Sequence, residues 1–167
     1  MDTTGVFGAA ATDLTGKAFT SVYTLNYPTF GVADINGSNS HETYGGALFN
    51  NASPLSAQIT INGVTKSLSG AFSGDHFLQT SPGIFSKIFD NAATDSQNTI
   101  NNSVSTDGND VINSLNFSDP VSYNLKSGDY GYGAFQFGHS VDLDPVNDAI
   151  GDLKTLSVKV ESVVAVP

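Results

Sequence analysis

The chain has 167 residues, six lysines and no arginine, sixteen acidic residues, and a net charge of -10. Its length suits a single domain with a real core, so residues 1–167 are read as one unit. The charge excludes nucleic acid and anionic membranes as partners, the lack of cysteine excludes disulfides and thiolate chemistry, and no apolar run approaches the ~20 residues that would insert in a bilayer.

Gly, Ser, Thr and Asn make up roughly two residues in five, and Asp outnumbers Glu fourteen to two. This bias favours strands joined by polar turns and disfavours long helices. In chain order, Lys17–Leu25 reads as a strand with Phe19, Tyr23 and Leu25 on one side. Pro28–Gly46, rich in Gly, Asn and Ser, reads as a long loop. In Leu55–Gly70, Ile59 and Ile61 alternate before Asn62-Gly63, and Val64, Lys66 and Leu68 alternate after it. Asn-Gly between two alternating runs is the signature of a type I′ hairpin, whose two central residues both need positive φ.

His76–Gln79 and Ile84–Phe89 read as two further strands around Ser81-Pro82-Gly83, the second with an i, i+4 apolar spacing that also suits a helical turn. Asn91–Asn102 is polar and ambiguous. Val111–Phe117 and Val121–Leu125 read as short strands around Asp119-Pro120. Tyr130–Phe137 reads as a strand with Phe135 and Phe137 on its core face and Tyr130, Tyr132 and Ala134 on the other. Asp142–Asp152 is an acidic loop with one helical turn at Val146–Ile150. The alternation in Leu153–Pro167 predicts a last strand with Leu156, Val158, Val160 and Val164 facing the core. About eight to ten short strands with frequent turns indicate an all-β fold, an antiparallel β-sandwich of jelly-roll or Greek-key type, with a β-barrel as the alternative.

The final strand stops at Val166-Pro167, as a residue without a backbone donor requires. A Val-Pro directly after a terminal strand resembles the junction in the PEP-CTERM family of exported bacterial proteins. Gly16–Leu25, with Phe19 and Tyr23, is similar to an early strand of such domains, and Thr60-Ile61-Asn62-Gly63-Val64 to their mid-chain hairpin. Together these segments cover about a third of the chain. The resemblance implies an extracellular or cell-surface location, sorting by an exosortase-like system, and a role in surface or exopolysaccharide matrix. It implies a signal peptide before Met1-Asp2-Thr3-Thr4, which lacks basic and apolar regions of its own, and Glu-Pro, an apolar helix and a basic tail after Pro167. It implies no shared active site.

Three groups of residues carry possible chemistry. Asp107, Asn109 and Asp110 around Gly108, and Asp142, Asp144 and Asp148, offer hard oxygen ligands of the kind calcium takes, although neither follows the EF-hand spacing. The same residues are also ordinary turn formers. Tyr130 and Tyr132, between Gly131 and Gly133, are candidates for stacking on the rings of an extracellular polysaccharide, against ordinary cross-strand packing. His41, His76 and His139 lie beside Glu42, Asp75 and Ser140, residue types that a hydrolase uses, with no sequence spacing that links them. The leading expectation is a non-catalytic, exported structural or adhesive protein whose partner is polysaccharide or another surface protein. The alternatives are a carbohydrate-binding module with structural calcium and a secreted hydrolase.

Overall fold

The computed structural model describes residues 2–3, 5–27, 32–68, 72–81, 83–95, 97–108, 110–138 and 147–160. Among them the strands are β1 (Phe19–Leu25), β2 (Ala33–Asn36), β3 (Ser40–Gly45), β4 (Leu55–Ile61), β5 (Val64–Leu68), β6 (Ser73–Ser81), β7 (Phe85–Ala93), β8 (Thr99–Asp107), β9 (Val121–Asn124), β10 (Tyr130–Gly138), β11 (Asn147–Lys154) and β12 (Ser157–Val160). The one helical element among the described residues is a single 3-10 turn, Ala47–Phe49.

A seven-stranded antiparallel sheet runs β11-β10-β8-β7-β6-β3-β2. A three-stranded sheet, β1-β4-β5, packs with β4 across β6, β7 and β8. A third, two-stranded sheet pairs β12 with β9. The chain is therefore an antiparallel sandwich with open sheet edges rather than a closed barrel.

The hairpin β4–β5 forms as its sequence dictates. Ile61 faces Val64 in register, and Asn62 and Gly63 take φ of 53° and 77°. Inward positions of β4 carry Leu55, Ala57, Ile59 and Ile61, all buried. They meet Leu78, Ile88, Ile100 and Val104 from the larger sheet. Phe135 and Phe137 enter this core from β10, and the buried Phe7 stacks edge-on against both at 5.4 and 5.5 Å.

Four expectations need correction. Pro28–Gly46 is not a loop throughout, because β2 and β3 form a hairpin there. The inward side chains of β3 are His41, Thr43 and Gly45, so apolar alternation is missing although the strand is buried. Val111–Phe117 is not a strand. Val111, Ile112 and Phe117 are buried as a plug on the sheet, and the Val111 backbone N–H donates to Ser86 Oγ (3.2 Å) and Thr106 Oγ1 (3.3 Å). Side-chain hydroxyls thus take the place of a ladder partner. Within Asp142–Asp152, residues 147–152 are extended and pair with β10, with Ala149 inside, so no helical turn forms over 147–150. Finally, Leu156 is 69 % exposed. The buried Thr155 takes the inward place between β11 and β12, its N–H donating to the Gly131 carbonyl, and Leu156 turns outward. Val158 does pack against the core and Lys159 is exposed. The side chain of Val160, and Val164 altogether, lie outside the described residues.

Candidate functional site

Two regions gather chemistry-bearing side chains. The first is the outer face of the seven-stranded sheet. Cross-strand register places Gln79, Lys87, Ser105 and Tyr130 in one row across β6, β7, β8 and β10. The adjacent row is Phe77, Phe89, Ser103, Tyr132 and, on β11, Lys154. Strands two apart are separated by about 10 Å. The small Ser103 and Ser105 on β8 therefore form the floor of a trough. Lys87 and Phe89 wall one side, and Tyr130 and Tyr132 the other.

The two tyrosines are exposed, 56 % and 47 %, with ring centroids 5.3 Å apart. Their exposure follows from strand alternation, which sends Gly131 and Gly133 inward. Glycine is required at 131 because a Cβ there would lie 2.4 Å from Leu125 Cδ2 and 2.7 Å from the Thr155 carbonyl. The Tyr-Gly-Tyr-Gly run thus lets β10 accept close cover on the inside while showing rings outside. Lys87 Nζ lies over the rings of Phe77 and Phe89, at 5.8 and 5.6 Å from their centroids. At the open end of the trough, Phe85, Lys87, Ser105, Thr106, Asp107, Gly128 and Tyr130 line a depression of about 280 Å³.

Farther along the same face stands a carboxylate of different character. Asp75 is half-buried, and its Oδ1 has no hydrogen-bond partner among the described residues. Burial, then the charges of Glu42 and Asp90, push its carboxyl up to about 6.

The second region lies between the sheets. His41 Nδ1 meets the Leu115 carbonyl at 2.8 Å, and Nε2 meets Asp34 Oδ1 at 2.7 Å. The Tyr27 hydroxyl donates to the other Asp34 oxygen at 2.7 Å, and this bond pushes the Tyr27 phenol up. Phe117 stacks on His41 and meets His76 edge-on at 4.7 Å. His76 Nδ1 bonds Asp90 Oδ1, directly across the strand pair, at 2.6 Å. Burial and the Asp90 carboxylate together push the Tyr23 phenol up. His76, Leu78 and Ile88 form the floor of a cavity of about 210 Å³, roofed by residues of the 110–122 segment including Asp110, Phe117 and Pro120.

The sequence thus named Tyr130 and Tyr132 but not their opposite wall, Lys87 and Phe89. Only cross-strand register brings these together. His41 and His76 do converge, around Phe117, whereas His139 lies outside the described residues. Of the cation candidates, Asp107 is exposed at the end of β8, and Asp110 Oδ2 is held by Lys126 Nζ at 3.2 Å. Asn109, Asp142 and Asp144 lie outside the described residues, as does the side chain of Asp148. Among the described residues, no group of three or more His, Asp or Glu is arranged to hold a metal ion. Tyr123 stands apart from the tyrosine pair, with its hydroxyl on Asp129 Oδ2 at 2.7 Å. No family model, no curated protein and no solved structure significantly matches the chain.

Proposed function

We propose that this chain is the folded domain of an exported bacterial surface or matrix protein, which acts without catalysis and holds polysaccharide on the outer face of its seven-stranded sheet. The observation that carries this reading is the exposed Tyr130–Tyr132 pair, set across a serine-floored trough from Lys87 and Phe89. Rigid rings on a sheet offer apolar area to pyranose faces at little cost in side-chain entropy. The flanking Ser105 and Asp107 offer hydroxyl and carboxylate partners for sugar hydroxyls. The assignment to an exported surface protein rests on the family resemblance. Two of its segments lie side by side in the fold, with Phe19 opposite Ile61 and Thr20 opposite Thr60.

The histidines enter this reading as structural groups. Both nitrogens of His41 and Nδ1 of His76 are engaged in holding the plug segment and the sheet together. A glycan array probed with the wild-type chain and with Tyr130→Ala/Tyr132→Ala tests the proposal. Binding to at least one polysaccharide class, lost in the double variant, is expected. Wild-type and variant arrays that match spot for spot would refute it.

A further inference from the structure

Lys87 is the cation on the wall of the trough. Among the described residues it makes no ion pair, although the protein carries sixteen acidic residues against six lysines. Its ammonium is instead placed over Phe77 and Phe89, on the wall of the trough that faces Tyr130. Lys154, exposed and directly across from Tyr132, brackets the tyrosine pair on its other side and likewise makes no ion pair among the described residues. Two acidic residues border the same area, Asp107 at the open end of the trough and Asp152 on β11. Among the described residues, the other acids of this face are Glu42 and Asp75, on β3 and β6, beyond Phe77.

We infer that the trough along β8 takes an acidic polysaccharide of the uronate class, with a sugar ring against Tyr130 and its carboxylate on Lys87. This rests on the proposed polysaccharide role and adds the chemical class of the ligand. A net charge of -10 repels polyanions in general. Binding therefore needs a local cation that no carboxylate contacts directly, and Lys87 meets that requirement among the described residues, although Asp75 feels its charge. One carboxylate per sugar also suits the site better than dense sulfation, because Asp107 and Asp152 sit at its borders. Asp107 is placed to accept from a sugar hydroxyl at the open end.

Affinity electrophoresis in EDTA, with polygalacturonate or neutral dextran in the gel, tests the inference. Three chains are compared: wild type, Lys87→Met and Tyr130→Ala/Tyr132→Ala. Methionine keeps an apolar stem over Phe77 and Phe89 while removing the charge. Retardation by polygalacturonate exceeding that by dextran is expected, weakening with added salt. Lys87→Met should lose about tenfold in affinity for polygalacturonate, as loss of a charge-assisted hydrogen bond implies, a larger loss than any it shows on dextran. No retardation by polygalacturonate, or equal retardation of wild type and Lys87→Met, would overturn the uronate assignment. If the double tyrosine variant still lost dextran binding, the polysaccharide role would survive that result. If it lost nothing on either gel while the wild type was retarded, the tyrosine face itself would be excluded.

Discussion

The imidazole of His41 stacks on the ring of Phe117, with centroids 3.7 Å apart and planes 11° from parallel. His41 belongs to an edge hairpin and Phe117 to a segment without strand pairing, so this stack ties the 110–120 plug to the rim of the larger sheet. The Leu115 carbonyl on His41 Nδ1 adds a second tie. His41→Ala removes both. The variant should lose roughly 2 kcal/mol of stability, from a stacked pair and a buried hydrogen bond. Hydrogen exchange should accelerate selectively at Val111 and Ile112. Protection of these amides equal to wild type would show that the plug is held by other contacts.

Asp75 supplies a pH signature. Its folded-state carboxyl is raised, to about 6 from an ordinary 3.8, chiefly by burial. The folded state therefore binds this proton more tightly than the unfolded chain does. Ionisation costs stability as pH rises through the window from about 4 to 6, and the full cost is present above it. Asp75→Asn removes the charge. It should stabilise the protein at pH 7.5 by ~1–3 kcal/mol and leave it nearly unchanged at pH 3.5. Urea unfolding of both chains at the two pH values measures this. A variant less stable than wild type at pH 7.5 would mean that the Asp75 charge is favourably compensated.

The Asn62-Gly63 turn tests the smaller sheet. A side chain at Gly63 would meet nothing within 4 Å, so crowding is not at issue. Gly63→Val is costly only through its backbone, because φ of 77° resists a β-branched residue. A loss of about 1–2 kcal/mol is expected. An unchanged melting temperature would place the cost of this turn elsewhere.

Asp2 anchors the N-terminal segment. It is fully buried, and its carboxylate accepts from the backbone N–H groups of Gly5, Val6 and Phe7 at 3.0, 2.7 and 2.6 Å. Phe7 in turn fills the core against Phe135 and Phe137. Asp2→Ala strands three donors and frees Phe7 to leave the core. A loss of ~3–5 kcal/mol should follow, by the same chemical-denaturation measurement. A loss below 1 kcal/mol would show that water satisfies those donors readily.

Where inward residues are apolar, the sequence displays the fold directly. Ile59 and Ile61 in β4, and Phe135 and Phe137 in β10, announce both the strand and its core face. The same logic fails where the inward residues are His41, Thr43 and Gly45. It fails in the opposite sense at Val111 and Ile112, which are apolar and buried but take their backbone partners from Ser86 and Thr106 rather than from a strand. The tyrosine half of the trough is legible because alternation with glycine exposes both rings. The lysine half is not, because forty-three positions of sequence separate Lys87 from Tyr130 and only register across β7, β8 and β10 joins them.

Polysaccharide is proposed to meet the outer face of the seven-stranded sheet, at the tyrosine pair. Amide and aromatic chemical shifts of the isotopically labelled chain, followed during titration with polygalacturonate oligosaccharides, test it most directly. Progressive changes are expected at Lys87, Ser103, Ser105, Tyr130 and Tyr132, with His76, Ile112 and Phe117 unmoved. Changes confined to the cavity around His76 and Phe117, with the tyrosine signals fixed, would contradict it.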